Sequence, residues 1–303
     1  MTKSITDIEL KVIKVLDSYN ECFVSISGGS DSDIMIDMIE RLRGCFPTTK
    51  INYLFVDTGL EYLATKRHIV YLQKRYGIII QTLKPENPIP LAIKKYGVPF
   101  INKRVSNYIE RLQKHNFDFN NDDFNKNYSN YPKCKAALRW FCNDFPHKKY
   151  NIDNNKLLRN FLISTDLKCS ISDKCCNEVK KKTLDKYKGL HVIGLRKCEG
   201  GARSDLKSCY DVDNLKFYPI LFLTEEMKKQ YERDHKIVHS DCYEFYGLKR
   251  TGCAGCPFNR EYMDELEIIR KYEPKLYKAC MNIFGESYEL TTQYNKFKEG
   301  ENV

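Results

Sequence analysis

The chain has 303 residues, a formal net charge of +10 from 50 Lys+Arg against 40 Asp+Glu, and 13 cysteines. This length supports one or two domains with ample cores. No apolar run approaches the length of a membrane span. Met1-Thr2-Lys3-Ser4 leads into an amphipathic helix rather than the apolar centre of a signal peptide. Composition therefore excludes a membrane-embedded protein and points to a cytoplasmic one, in which many cysteines serve metal or redox chemistry rather than disulfides.

In chain order, the periodicity predicts helices over 5–19, 32–43, 60–76 and 88–96, alternating with strands at 22–27, 51–56, 78–83 and 191–195. This βαβ rhythm predicts an α/β fold with a doubly wound, mostly parallel sheet. Residues 113–165 interrupt it. They open on a polar run from Asn116 to Asp123 and continue into a helix over 133–143. They read either as an inserted lid or substrate-selecting element, or as a loop with no catalytic role. Residues 224–303 read as helices around a cysteine turn, with one helix over 274–283. The expected organisation is a nucleotide-binding domain at 1–223 and a Cys-rich helical region at 224–303 that completes a metal site.

The first strand, Cys22-Phe23-Val24-Ser25-Ile26, runs into Ser27-Gly28-Gly29-Ser30-Asp31-Ser32 and then a helix. A glycine-rich turn between strand and helix presents backbone N–H groups and the positive end of a helix dipole, which suits a phosphate. Ser27 and Ser32 can donate to phosphate oxygens. Asp31 would repel a phosphate directly and suits a metal ion or a helix cap. The plain alternative is a glycine turn with a Ser/Asp cap. No Gly-Lys-Ser/Thr follows, so this is not a Walker A loop. The second strand ends in Asp57-Thr58-Gly59-Leu60-Glu61-Tyr62. Two successive strands thus end in polar, glycine-containing turns, where open α/β sheets bind ligands. A simple β-turn with a capping Asp accounts for the second turn equally well.

Four cysteines form a pattern: adjacent Cys175-Cys176, and Cys253-Ala254-Gly255-Cys256. A C-x-x-C pair in a glycine-containing turn can aim two thiolates at one metal, either iron–sulfur or zinc. Cys134 lies between Lys133 and Lys135, whose charges would lower its pKa. Cys198 and Cys169 are further candidates for a sulfur carrier. A small buried hydrophobe is the ordinary role of such cysteines.

The loop resembles the SGGxDS loop of the PP-loop ATP pyrophosphatases. The Asp57-Thr58-Gly59 turn resembles the segment beside the adenosine in the phosphoadenosine phosphosulfate (PAPS) reductase family. The resemblance continues through Lys95-Tyr96-Gly97-Val98-Pro99 to Lys103, and through His191-Val192-Ile193-Gly194-Leu195-Arg196 to Arg203. It reaches Pro219-Ile220 and the Thr224-Glu225-Glu226 helix start. The cysteines resemble the CC…CxxC signature of APS reductases, and the whole is most similar to the forms carried by phages and mobile elements. The resemblance runs collinearly from about Cys22 to Phe258.

It implies an adenine nucleotide alpha hydrolase-like fold. ATP and Mg²⁺ would sit at Ser27, Gly28, Gly29, Ser30, Asp31 and Ser32, with Asp57, Thr58, Gly59, Glu61 and Lys103 also on the nucleotide. Arg196 and Arg203 would face the phosphates. A 4Fe-4S cluster, with Zn²⁺ as the alternative, would sit on Cys175, Cys176, Cys253 and Cys256. Two departures shape the expected activity. The cysteine that attacks sulfur in true reductases, in an E-C-G-L-H context, is not found, and the loop is complete rather than degenerate. Both favour cleavage of ATP to an adenylated intermediate and pyrophosphate, followed by sulfur transfer to an acceptor. A sulfonucleotide reductase and a non-enzymatic redox or nucleotide sensor are the alternatives. Many relatives carry lysine at the position of Ser30.

A basic balance suits a nucleic-acid substrate, although Lys180-Lys181-Lys182 and Lys228-Lys229 read as solvated helix faces. A sulfur donor or reductant protein is the implied partner, no membrane is involved, and a homo-oligomer is compatible with the sequence.

Overall fold

The computed structural model describes residues 4–144, 152–165, 167–200 and 203–300. In chain order the elements begin α1 (Ile5–Asp17), β1 (Glu21–Ile26), α2 (Ser30–Arg41), β2 (Lys50–Val56), α3 (Leu63–Tyr76) and β3 (Ile80–Leu83). The helices α4 (Ile89–Tyr96), α5 (Lys103–Gln113), α6 (Phe124–Asn130), α7 (Lys135–Phe141), α8 (Ile152–Ser164) and α9 (Lys182–Leu184) follow. The chain continues through β4 (Leu190–Ile193), β5 (Tyr210–Asp211), β6 (Lys216–Phe217), α10 (Glu225–Asp234), α11 (Asp241–Glu244), α12 (Tyr262–Tyr272) and α13 (Pro274–Glu299). No helix among the described residues is long and apolar enough to cross a membrane.

Two compact units divide the chain. The first joins Met1–Glu86 to Lys182–Ala254, and the second joins Asn87–Lys181 to Gly255–Val303. Each is assembled from two separate stretches of sequence. The boundary expected at 223 falls inside the first unit. The reason is α10, whose Tyr231 is fully buried in the same core as α1, α2 and the sheet, with its hydroxyl donating to Asp37 at 2.7 Å.

The first unit holds a six-stranded sheet in the order β3-β2-β1-β4-β6-β5. All neighbouring pairs are parallel except β5 with β6. The expected α/β, mostly parallel architecture is thus present. The middle strand β1 buries Cys22, Phe23, Val24 and Ile26, successive residues pointing to opposite faces, as a parallel strand covered on both sides must. The chain winds outward through β2 and β3, then re-enters on the other side of β1 as β4. That reversal is a topological switch point, and the crevice beyond the carboxyl ends of β1 and β4 is where such sheets bind ligands. Strands β5 and β6, two residues each, are too short to leave a periodic signal and were not expected.

Local chemistry fixes the element ends. A capping box between Ser4 and Asp7 starts α1. Gly77, at φ 66°, ends α3 in the left-handed conformation.

The second unit is helical. The stretch read as an insertion contributes to its core through Phe117, Leu138, Phe141 and Phe161, all buried. The helix expected over 133–143 is a short turn at Pro132–Cys134 followed by α7. The helix expected over 274–283 runs on to Glu299, because Phe284, Tyr288, Leu290 and Tyr294 continue the buried stripe until Gly300 closes it.

Candidate functional site

In the first unit the 27–32 loop connects the end of β1 to the start of α2. Gly28 has φ +69°, and a Cβ there would stand 2.6 Å from Cγ2 of Thr65, so α3 packs directly beneath the turn. Gly29 is the N-cap of α2 and offers no side-chain cap. The loop's hydrogen bonds close on its own hydroxyls. Ser32 Oγ accepts from the Ser27 N–H at 3.1 Å and lies 2.8 Å from Ser27 Oγ, while the Gly29 N–H reaches Ser27 Oγ at 3.3 Å. The Ser30 N–H donates to the Tyr243 hydroxyl at 3.3 Å, and that hydroxyl lies 3.0 Å from Thr251 Oγ1. These N–H groups are held by neutral hydroxyls, which an anion can replace at the positive end of α2.

Asp31 is an ion-pair hub. Both of its carboxylate oxygens accept from Arg196 Nε at 2.9 Å, and Oδ1 accepts from Lys228 Nζ at 3.0 Å. Arg196 comes from the turn after β4. Gly194 lets that turn approach α2, since a Cβ there would lie 3.3 Å from the Asp31 carbonyl oxygen. Burial opposes the Arg196 charge, but the hydrogen bond and field of Asp31, with Glu225, raise the guanidinium above its ordinary value. Arg203 is half-exposed and pairs with Glu199, whose carboxylate also accepts the Arg196 N–H. It is thus tied to Arg196 through Glu199, with no direct bond to the loop among the described contacts.

Behind the hub lies a buried relay that the sequence reading missed. Asp33 is fully buried and bonds His68 Nε2 at 2.9 Å and His239 Nδ1 at 2.7 Å. His239 Nε2 reaches Glu232 at 3.0 Å. Burial alone would push the His239 imidazolium down. Its bonds to Asp33 and Glu232 outweigh burial and hold the pKa at about 9. Lys228 was read as part of a solvated face, yet it is 9% exposed, with its ammonium 2.6 Å from Ser30 Oγ.

The second turn follows β2. Asp57 accepts the Gly59 N–H at 3.1 Å and pairs with Lys66 at 2.7 Å. Thr58 donates to Glu61 at 2.7 Å, and both are buried. The segment that carries Cys253 is bonded to both turns. Thr251 reaches the loop through Tyr243, and the Ala254 N–H donates to Leu60 O at 2.9 Å.

Cys175, Cys176, Cys256 and Lys103 belong to the second unit, and Cys253 to the first. The Cys176 thiol is lowered to about 5, first by a hydrogen bond from Cys175 and then by Lys103 and Lys180, against the cost of burial. Lys103, expected on the nucleotide, is therefore a neighbour of Cys176. Gly255, at φ +62°, lets the C-x-x-C turn pack against Cys280, which had no assigned role: a Cβ there would stand 3.1 Å from it, and the Gly255 carbonyl accepts the Tyr288 hydroxyl. Thiolate character at Cys176 fits a cationic metal or cluster. Among the described residues, however, no group of three or more His, Cys, Asp or Glu side chains is assembled as a metal site.

The lowered thiol pKa expected at Cys134 is not found: burial raises it despite Arg111. Burial likewise raises Cys198, against Arg196, and Cys169, where Glu286 adds to the effect. Cys134 instead donates to Arg111 O.

The loop at the switch point, with a second polar turn beside it, defines a mostly parallel α/β protein with a phosphate-type loop. Residues 21–259 match the phosphoadenosine phosphosulfate reductase domain, and the chain belongs to that family. An uncharacterised protein of Methanocaldococcus jannaschii is 32% identical over 270 residues, covering 88% of this chain. This chain spans only 42% of that relative's length. Among solved structures, PAPS reductase from Candida auris is similar at 12% identity and a TM-score of 0.41, covering 84% of this chain and 97% of that one. The U34-tRNA thiolase NcsA from Methanococcus maripaludis, with its [4Fe-4S] cluster, is similar at 14% identity and a TM-score of 0.38, covering 99% and 81%.

Proposed function

We propose that the chain is an ATP pyrophosphatase of this family that carries an iron–sulfur cluster on Cys175, Cys176, Cys253 and Cys256. It transfers AMP to an acceptor oxygen, releases pyrophosphate, and exposes the activated acceptor to a sulfur nucleophile that displaces AMP. Nucleic acid is the acceptor class that the +10 charge favours. The observation that carries the reading is the bonding of the Cys253 segment to both polar turns of the sheet. A cysteine-bearing turn next to a phosphate-type loop is the arrangement that coupled nucleotide and sulfur chemistry needs.

The residues divide the work as follows. The N–H groups of Gly29 and Ser30, with the hydroxyls of Ser27 and Ser32, hold phosphate oxygens. The Asp57, Thr58, Gly59 and Glu61 turn flanks the nucleoside. Arg196, fixed by Asp31, supplies a preorganised positive charge where the pyrophosphate leaves. Arg203 steadies Glu199 and so the Arg196 backbone. Mg²⁺, when bound, adds charge neutralisation. The cluster, when bound, supplies thiolate-ligated iron, and Cys176, already acidic, is its readiest ligand.

Anaerobic purification with iron and sulfide analysis, followed by a pyrophosphate-release assay with ATP and RNA or DNA, tests the reading. Iron with sulfide and acceptor-dependent pyrophosphate is the expected result. Zinc in place of iron overturns the cluster. Sulfite release from PAPS establishes the reductase that the family's name favours, and nucleotide binding without turnover leaves a sensor.

A further inference from the structure

We propose that Lys228 is the cation that meets the phosphate chain at this loop, delivered from α10 across the fold rather than from the loop itself. The proposal rests on the nucleotide reading of the same site. Lys228 lies in the first turns of α10, its N–H bonded to Thr224 O at 2.9 Å and the helix start capped by the Thr224 hydroxyl. Its backbone is therefore fixed. Its ammonium ends at the head of α2, 2.6 Å from Ser30 Oγ and 3.0 Å from Asp31 Oδ1, with Glu232 standing off at 3.7 Å.

A lysine that is 9% exposed has given up most of its hydration, which is costly unless the charge is used. Asp31 answers that charge only in part, because it is shared with Arg196, and Glu232 stands 3.7 Å away. The ammonium also sits at the positive end of a 12-residue helix, an unfavourable place for a cation that the Asp31 carboxylate, shared with Arg196, offsets. Ser30 fits this arrangement. It is the first residue of α2, and its short side chain leaves room for an ammonium from elsewhere while giving it a hydroxyl to rest on. A lysine at position 30 would place its own charge in the space that Lys228 occupies. The ligand chemistry is a polyphosphate, with Lys228 turning from Ser30 to a phosphate oxygen as it docks.

Binding of ATP, inorganic pyrophosphate and adenosine is measured by calorimetry on the full chain, with circular dichroism as the check on folding. Lys228→Met is expected to weaken pyrophosphate and ATP by about 10- to 100-fold, the range of a lost charge-assisted hydrogen bond, and to leave adenosine within about twofold. Lys228→Arg retains most of the affinity. The double variant Ser30→Lys with Lys228→Met regains it, because the charge returns from the neighbouring backbone. Unchanged pyrophosphate affinity in Lys228→Met, or equal loss of adenosine, overturns the role of Lys228 while the nucleotide reading stands. A double variant as weak as Lys228→Met also overturns it. A wild-type chain that binds none of the three ligands removes the nucleotide reading, and the proposal with it.

Discussion

Ser30 is where a residue-by-residue reading and the folded molecule differ most. As a motif position it offers a hydroxyl and no charge. In the fold the ammonium of a lysine 198 positions away lies 2.6 Å from that hydroxyl. No local signal could have announced this, since Lys228 and Lys229 differ only in which face of α10 they occupy. Gly28, by contrast, was legible. Its +69° φ and the 2.6 Å approach to Thr65 are what a glycine between strand and phosphate-type loop implies. Gly28→Ala is expected to cost about 1–3 kcal/mol from the strained φ and the displaced Thr65 methyl. Gly44→Ala, with nothing near its added Cβ, should stay within about 0.5 kcal/mol. Urea unfolding of both variants checks the contrast. Gly255→Ala belongs with Gly28: its φ is +62° and its Cβ would stand 2.7 Å from the Tyr288 hydroxyl. It should lower the thermal midpoint and, if the C-x-x-C turn carries iron, the iron content as well.

The elements were legible wherever a period could repeat. β1, β2, α2 and α3 each have enough residues to show their spacing, and all were found within a few positions. What escaped were features made by one residue per element. The relay from His68 on α3 through Asp33 on α2 to His239 and Glu232 joins four separate segments, and none of them looks unusual alone. The Cys134 expectation failed for a related reason. Sequence neighbours predict charge, whereas burial decides the pKa of Cys134. The relay makes a pH prediction. His239 has a folded pKa of about 9 against 6.5 unfolded, so protonation stabilises the fold. Its contribution is complete below about pH 6.5 and fades as pH rises through about 9. The groups facing it are Asp33, Glu232 and the Tyr243 ring, with Lys228 next to Glu232 and His68 beyond Asp33. Urea midpoints for wild type should fall between pH 6.5 and 9.5. In His239→Gln that part of the slope should vanish, with a lower midpoint at pH 6.5.

For the molecule as a whole, the class of fold followed from the alternation of strands and helices, but the partition of the chain did not. Residues 113–165 read as an interruption, whereas they belong to 87–181, a stretch with no strand among its described residues that forms one half of a helical unit whose other half begins at Gly255. Periodicity cannot show that two distant helical stretches share a core. The interleaving has a consequence for the chain as it leaves the ribosome. When β3 has emerged, β1 has β2 on one side only, and its other edge waits for Leu190, His191, Val192 and Ile193. More than a hundred residues must be translated before that edge is covered, so the nascent chain carries an unpaired, apolar central strand for several seconds at ordinary elongation rates of about 5–20 residues per second. A fragment ending at Lys181 freezes that stage. It should aggregate on expression while the full chain stays in solution, and a holdase chaperone should be found on ribosomes stalled there and absent from those stalled after β6.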